Sequence, residues 1–266
     1  MEKRNLEKRM VHLLEPFNMY NKKFKSLVDL SFQKSKEFYK IEFNLNKPNP
    51  YFVGFGNPNS RILIMGKEKG FDGSNLKQLQ YESIENPNEW KNYIDNDITF
   101  NRTKFYDSEH YINAFRPYYG KMKGGHTWNK YYTFLKNIYP QIQKNENEFL
   151  DYVFLSEINF EPSKLSKIKS FDNPQRIELL KNDYYKSFDV IICACANYLT
   201  DNQIEEIFNV KFESDLSSPN EKLNVFRNGN RVLINTRQLS MNIKNDYLIR
   251  ISEVAKNQLN NNEPNR

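Results

Sequence analysis

Two cysteines, three histidines, two tryptophans and nine glycines are all that 266 residues hold, and each shortage removes a class of chemistry. Cys193 and Cys195 stand one residue apart inside an apolar run, too close for an ordinary intrachain disulfide and too few for a zinc or iron–sulfur site. Free thiols of this kind suit a reducing compartment. His12, His110 and His126 show no paired zinc spacing. No run approaches the roughly 20 apolar residues of a membrane span. Met1-Glu2-Lys3-Arg4 opens an amphipathic pattern rather than the apolar core of a signal peptide. A cytoplasmic, monomeric protein without membrane contact, metal or cofactor is expected.

The few glycines also fail the common nucleotide motifs. Gly54 and Gly56 precede the first strand, whereas a dinucleotide fingerprint follows it. Gly66-Lys-Glu-Lys-Gly70 lacks the Gly-Lys-Ser/Thr ending of a phosphate-cradling loop. No Gly-x-Ser-x-Gly elbow is present for a serine nucleophile.

Aromatics are abundant instead. They make up 15% of a chain that is only 38% apolar, so Tyr and Phe must build much of the core. Mean hydropathy is −0.81, net charge +6 and pI about 9.0. That charge reflects either a Lys- and Asn-rich bias or attraction to a polyanion, and only clustering near a site separates the two.

Residues 5 to 40 carry apolar side chains at near-helical spacing, interrupted near Pro16, and predict one or two packing helices. Arg61-Ile-Leu-Ile-Met-Gly66 is too short for a helix and reads as a buried parallel strand. Tyr152 to Ile158, Phe188 to Cys195 and Arg231 to Asn235 predict three more strands. Helices are predicted over Trp128–Tyr139 with Thr127 as cap, Pro174–Ser187, Thr200–Phe208 and about Asp246–Asn257. The stretch from Gly70 to His126 shows no clear strand. Strands alternating with helices imply an α/β fold of three layers, α/β/α, around a central four-stranded parallel sheet. Residues 1–50 form an N-terminal helical extension packed on the core, 51–259 the α/β domain and 260–266 a disordered tail.

Each strand runs into a polar loop: Gly66–Gly70, the stretch after Ser156, Ala196-Asn197, and Asn235–Ser240. Parallel strands would bring all four loops to one edge, the usual ligand position in open α/β sheets. Glu68 is the candidate catalytic carboxylate there, or else a solvated acid between two lysines.

The order of elements and the stretch Ile62-Leu-Ile-Met-Gly-Lys-Glu-Lys-Gly70 resemble the uracil-DNA glycosylase superfamily. Its members open with a strand running into a Gly-x-Asp/Asn/Glu-Pro-Tyr/Gly loop. They end with a strand running into a His-Pro-Ser-like loop that enters the DNA minor groove. Gly66, Glu68 and Gly70 fit the first motif, with Lys69 where proline is usual; Asn235-Thr-Arg-Gln-Leu-Ser240 matches the second in position without its histidine. The resemblance spans Arg61 to Ala255.

It implies that Glu68 orients the attacking water and stabilises the sugar cation, since breaking an N-glycosidic bond develops oxocarbenium character. Lys67 and Lys69 would meet phosphates or be plain surface charge, and the amides of Gly66 and Gly70 would face an anion. The second strand would supply the base reader, from Ser156, Glu157 or Asn159. An ionised Glu157 would favour an exocyclic amine such as that of cytosine, unless it pairs with Lys164 or Lys167. Phe115 would be the stacking floor for a flipped base, with Tyr81 and Phe71 as competitors. His126 would touch DNA or the leaving base; Asn235, Arg237, Gln238 and Ser240 would contact the DNA.

The expected function is therefore excision of a non-standard or modified pyrimidine from DNA, as anti-phage glycosylases excise altered cytosines, with uracil repair as an alternative. Three rivals stand beside it: a metal-dependent nuclease with Glu68, Glu157 and Asp189 as ligands, a non-catalytic nucleic-acid-binding module, and a nucleoside or sugar-phosphate enzyme.

Overall fold

The computed structural model describes residues 20–42, 47–70, 76–98, 114–115, 126–142, 148–163, 169–239 and 243–262. Among these the order is α1 (Lys22–Glu42), β1 (Phe55–Gly56), β2 (Ile62–Gly66), α2 (Leu76–Leu79) with a π turn (Gln80–Ile84), and α3 (Asn86–Asp95). Then come α4 (His126–Ile138), a 3₁₀ turn (Glu148–Tyr152), β3 (Phe154–Glu157), α5 (Pro174–Leu180), β4 (Val190–Cys193) and α6 (Asp201–Phe208). The chain continues with β5 (Lys211–Ser218), β6 (Leu223–Asn228), β7 (Arg231–Thr236) and α7 (Asn245–Asn261).

The protein is mixed α/β, but the sheet has seven strands where four were expected, in the order β1-β3-β2-β4-β7-β6-β5. The four expected strands are its parallel centre: β2 pairs with β3 and β4, and β4 with β7. Antiparallel β1 is added beside β3, and the antiparallel strands β6 and β5 lie beyond β7.

Period-two alternation sends neighbouring side chains into different layers. Leu63, Met65, Ile191, Cys193 and Leu233 join one cluster, with Phe24 of α1, Trp90 of α3, Leu180 of α5 and Ile207 of α6. Ile62, Ile64, Val190, Ile192 and Ile234 join the other, with Phe134 of α4 and Ile251 of α7. Helices thus cover both faces, which is why the central strands are continuous apolar runs.

Helix α1 is built into this core. Phe24, Leu27, Val28, Ser31 and Ser35 recur at helical spacing and are buried, and the Asn21 side chain caps the first turn by accepting from Phe24 N at 2.8 Å. Residues 1–19, including the interruption at Pro16, lie outside the described residues. Gly54 and Gly56, which no nucleotide motif claimed, have a packing reason. Both have positive φ, 150° and 91°, and a Cβ on either would meet a β3-side carbonyl oxygen at 2.4 Å.

Several boundaries move. The helix expected from Trp128 begins at His126, and the strand expected from Tyr152 begins at Phe154, because Tyr152 closes the 3₁₀ turn. Helix α5 stops at Leu180 rather than Ser187: Tyr184 and Tyr185 are pulled into the core, donating to the carbonyls of Pro58 and Val53. Helix α7 runs to Asn261, into the segment expected to be tail; residues 263–266 lie outside the described residues. Among the described residues no helix is long and apolar enough to cross a membrane.

Candidate active site

The four loops gather at the carboxyl edge of the parallel strands. Beyond β2 and β3 the backbones keep pairing: Ile158 N donates to Gly66 O at 2.9 Å, Asn159 N to Lys67 O at 2.7 Å and Ser163 N to Lys69 O at 2.9 Å. On the other side Ala194 N donates to Met65 O at 2.8 Å and Ala196 N to Thr236 O at 3.0 Å, with Ala196 in a left-handed turn at φ 55°.

Glu68 is half-buried and accepts a hydrogen bond from the hydroxyl of Tyr198, itself buried two residues beyond that turn. The Lys67 ammonium lies over the Tyr198 ring, 4.6 Å from its centroid. Glu68 is therefore a held acid rather than a free loop side chain.

Glu157 ends β3 directly opposite Gly66 in the register. Its Oε2 is sealed from solvent without a hydrogen-bond partner and lies 2.1 Å from where a Cβ on residue 66 would be. Glycine at 66 leaves the space that this carboxyl occupies. Burial, with the Glu68 and Glu82 carboxylates adding to it, pushes Glu157 up to about 8 against the opposing pull of Lys69 and Arg176. At neutral pH the group is a neutral acid, offering an O–H donor as well as an acceptor. The preference for an exocyclic amine expected from an acceptor-only carboxylate does not follow here.

Lys69 corrects another expectation. Its ammonium is turned into the protein, donating to Glu82 O and lying 3.7 Å from the Phe52 and 4.5 Å from the Phe55 ring centroids. Burial lowers it to about 7, while Glu82 and Glu157 pull the other way. An ammonium so placed ties the first loop to the π turn and is not presented to a phosphate.

Arg176, which no sequence motif marked, anchors this corner. Fully buried in the first turns of α5, it donates to the carbonyls of Glu157 and Phe52 and, at 3.0 Å, to Ser156 Oγ. A clue was present: 176, 179 and 180 form the buried face of α5, so an arginine occupies a core position. Tyr198 had no comparable signal.

The other candidates divide. Asn159 is buried and its Oδ1 accepts from Glu161 N at 3.1 Å, so that oxygen shapes the loop. Phe115 is a core ring: Tyr93 stacks on it at 5.2 Å and Tyr20 at 6.3 Å, with Trp90 edge-on at 5.0 Å. Those contacts remove it as a stacking floor. Asn235 is half-buried at the end of β7, its Oδ1 3.9 Å from Cys195 Sγ. Arg237 is exposed, with Nε 3.3 Å from Glu221 O, and Gln238 is half-buried. Gly70 is exposed, and a Cβ there would meet nothing within 4 Å. Ser240, Phe71, Lys164, Lys167 and the side chains of His126 and Tyr81 lie outside the described residues.

Asp189 precedes β4 at the opposite edge, ion-paired with Arg61 at 2.5 Å, so the three proposed nuclease ligands do not meet. An open depression of about 420 Å³ lies there too, lined by Lys22, Lys23, Arg61, Ser187 and Asp189. Its Arg61 and Asp189 satisfy each other, whereas the carboxyl edge holds a carboxyl oxygen, Glu157 Oε2, sealed from solvent without a partner, and the latter is the chemically poised place.

What fold and site together define is a three-layer α/β protein with a two-carboxyl centre at its carboxyl edge. No family model, curated protein or solved structure matches the chain.

Proposed function

We propose that this protein is a DNA glycosylase of the uracil-DNA glycosylase kind, which takes a non-standard or modified pyrimidine out of the stack and hydrolyses its N-glycosidic bond. An anti-phage role against hypermodified cytosine belongs to the same proposal. The observation that carries it is the convergence of four strand-end loops over Glu68 and Glu157, two carboxyl groups in different surroundings. A fixed carboxylate beside the sugar stabilises an oxocarbenium-like transition state, and Glu68, held by Tyr198, is suited to that work. Glu157 reaches the same edge from β3 and faces the base. Lys67 and Arg237 supply positive charge beside the first and last loops.

The test is base release from DNAs carrying uracil, a thymine mismatch, 5-hydroxymethylcytosine or glucosylated 5-hydroxymethylcytosine, read as free base by mass spectrometry and as alkali-labile sites on gels. Wild type is expected to release at least one of these bases in the presence of EDTA. Glu68→Gln is expected to be slower by about 10²-fold or more, the scale of one removed electrostatic contact at a reacting centre. Release from none of the four, with Glu68→Gln indistinguishable from wild type, rejects the proposal.

A further inference from the structure

We propose that Glu157 is the proton donor to the departing base, so that the two carboxyls divide the work: Glu68 faces the sugar and Glu157 the leaving group. This rests on the glycosylase reading and adds a role that the resemblance does not contain.

Oε2 of Glu157 is pressed against Gly66, cut off from solvent and without a partner. A proton there would be a buried donor with no acceptor, the arrangement proteins avoid. Of the two carboxyl oxygens only Oε2 is both sealed and without a partner, so the proton is better held on Oε1. With the proton on Oε1, Oε2 becomes the bare carbonyl oxygen, and Glu157 carries an acid proton at the end of β3, the edge where the loops gather.

The groups around it keep that proton in place and make it transferable. Glu68 and Lys69 face it from the first loop, Glu82 from the π turn, Arg176 from α5 and Tyr131 from α4. Burial and two neighbouring acids favour the neutral form before reaction; Arg176, always charged, stabilises the carboxylate left afterwards, and Lys69 adds to it where it is protonated. Two titratable groups in contrasting surroundings are the arrangement by which one site runs acid and electrostatic roles together.

The C1′–N bond breaks and its electron pair passes into the base. The Glu157 proton is transferred to a basic oxygen or nitrogen of that base, leaving the carboxylate. Water forms a bond to C1′ and gives up one proton to Glu68 or solvent, and Glu157 takes its proton back from solvent.

The experiment compares wild type with Glu157→Gln on two DNAs that differ in leaving group, uracil and 5-fluorouracil, across pH 6 to 9.5. Wild-type kcat/KM is expected to fall on an alkaline limb near the value of about 8 set by burial of this carboxyl. Glu157→Gln is expected to lose that limb and about 100-fold in rate on uracil, with a much smaller loss on 5-fluorouracil, which departs without help. An equal loss on both bases, or a variant that keeps the limb, assigns Glu157 a merely structural role and overturns the proposal. A second reading avoids the variant's activity altogether: infrared spectra of the free wild-type protein at pH 7, with Glu157→Gln as the subtraction reference, are expected to show one additional neutral carboxyl. An ionised Glu157 in an enzyme that does release base overturns this proposal alone. Wild type that releases neither base, nor any of the four tested above, overturns the glycosylase reading and this proposal with it.

Discussion

At Gly66 one missing methyl group decides where a carboxyl lies. Alanine in that position would bring a Cβ to 2.1 Å from Glu157 Oε2 and 3.0 Å from its Cδ, so the acid must swing away. The obstacle is the end of a flexible side chain, and residue 66 does not need positive φ. Gly66→Ala is therefore expected to change stability by no more than about 1 kcal/mol while lowering base release about 100-fold, the scale of a displaced proton donor. In a Glu157→Ala background the same change is expected to be neutral or mildly stabilising, a coupling that a double-mutant cycle in urea would measure. Glu157 also gives stability a pH dependence. Its folded value of about 8 lies above the ordinary 4.5, so its contribution is fully present below 4.5 and is lost as pH rises through about 8. Lys69 has the opposite sign: held at about 7 instead of 10.5, it loses its contribution as pH falls through about 7. Thermal melts from pH 5 to 9.5 are expected to show Glu157→Gln gaining on wild type from pH 5 up to about pH 8, with the difference level above that. A constant difference across that range would mean that the carboxyl is not held neutral.

Among the elements, α5 contributes most to the site for its length. Its seven residues deliver Arg176 to carbonyls on two other segments. Arg176→Ala takes a buried donor away from those carbonyls and from Ser156 Oγ, which is expected to remove about 3 kcal/mol from unfolding measured in urea. Lysine is not expected to rescue it, because a single ammonium cannot span the same fork. Helix α6 offers a gentler test: Thr200 and Gln203 form a reciprocal capping box, and Thr200→Ala is expected to remove about 1 kcal/mol. The elements also mark the reach of sequence reasoning. The four central strands were legible because both their faces are covered, leaving uninterrupted apolar runs. Strand β5 was not, because it is an edge strand whose residues are mostly exposed and polar, carrying no periodic signal. The β6–β7 hairpin did carry one: Gly229-Asn230 lies between two strands whose ends pair as Asn228 with Arg231, and Gly229 has φ 52°. In the site, Glu68 and Glu157 were legible from their positions at strand ends. The inward turn of Lys69 and the hydrogen-bond partners of Arg176 depend on contacts with Phe52, Glu82 and Ser156, from segments distant in sequence. No local pattern encodes such contacts.

Over the whole molecule a net charge of +6 says less about partners than its placement does. Several lysines are spent on neighbours at the surface: Lys34 on Glu37, Lys91 on Asp95, Lys181 on Glu206 and Lys211 on Glu205. Such pairs contribute little to stability and leave little field for a polyanion. At the carboxyl edge the cations differ in kind. Lys67 is half-buried over Tyr198 and Arg237 is exposed, while the Lys69 ammonium is enclosed. A phosphate backbone bound over this edge would release counterions against the first two and not the third. Each neutralised phosphate adds about 0.9 to the slope of log affinity against log salt. Lys67→Ala and Arg237→Ala are accordingly each expected to flatten that slope by about 1, measured by fluorescence anisotropy on a labelled duplex. Lys69→Ala is expected to leave the slope unchanged even where it disturbs the loop. Equal flattening by all three variants would mean that the Lys69 side chain swings out to the DNA. No change from any of them would place the nucleic-acid surface elsewhere, and the loops over Glu68 and Glu157 would then have to take a ligand that carries no phosphate backbone.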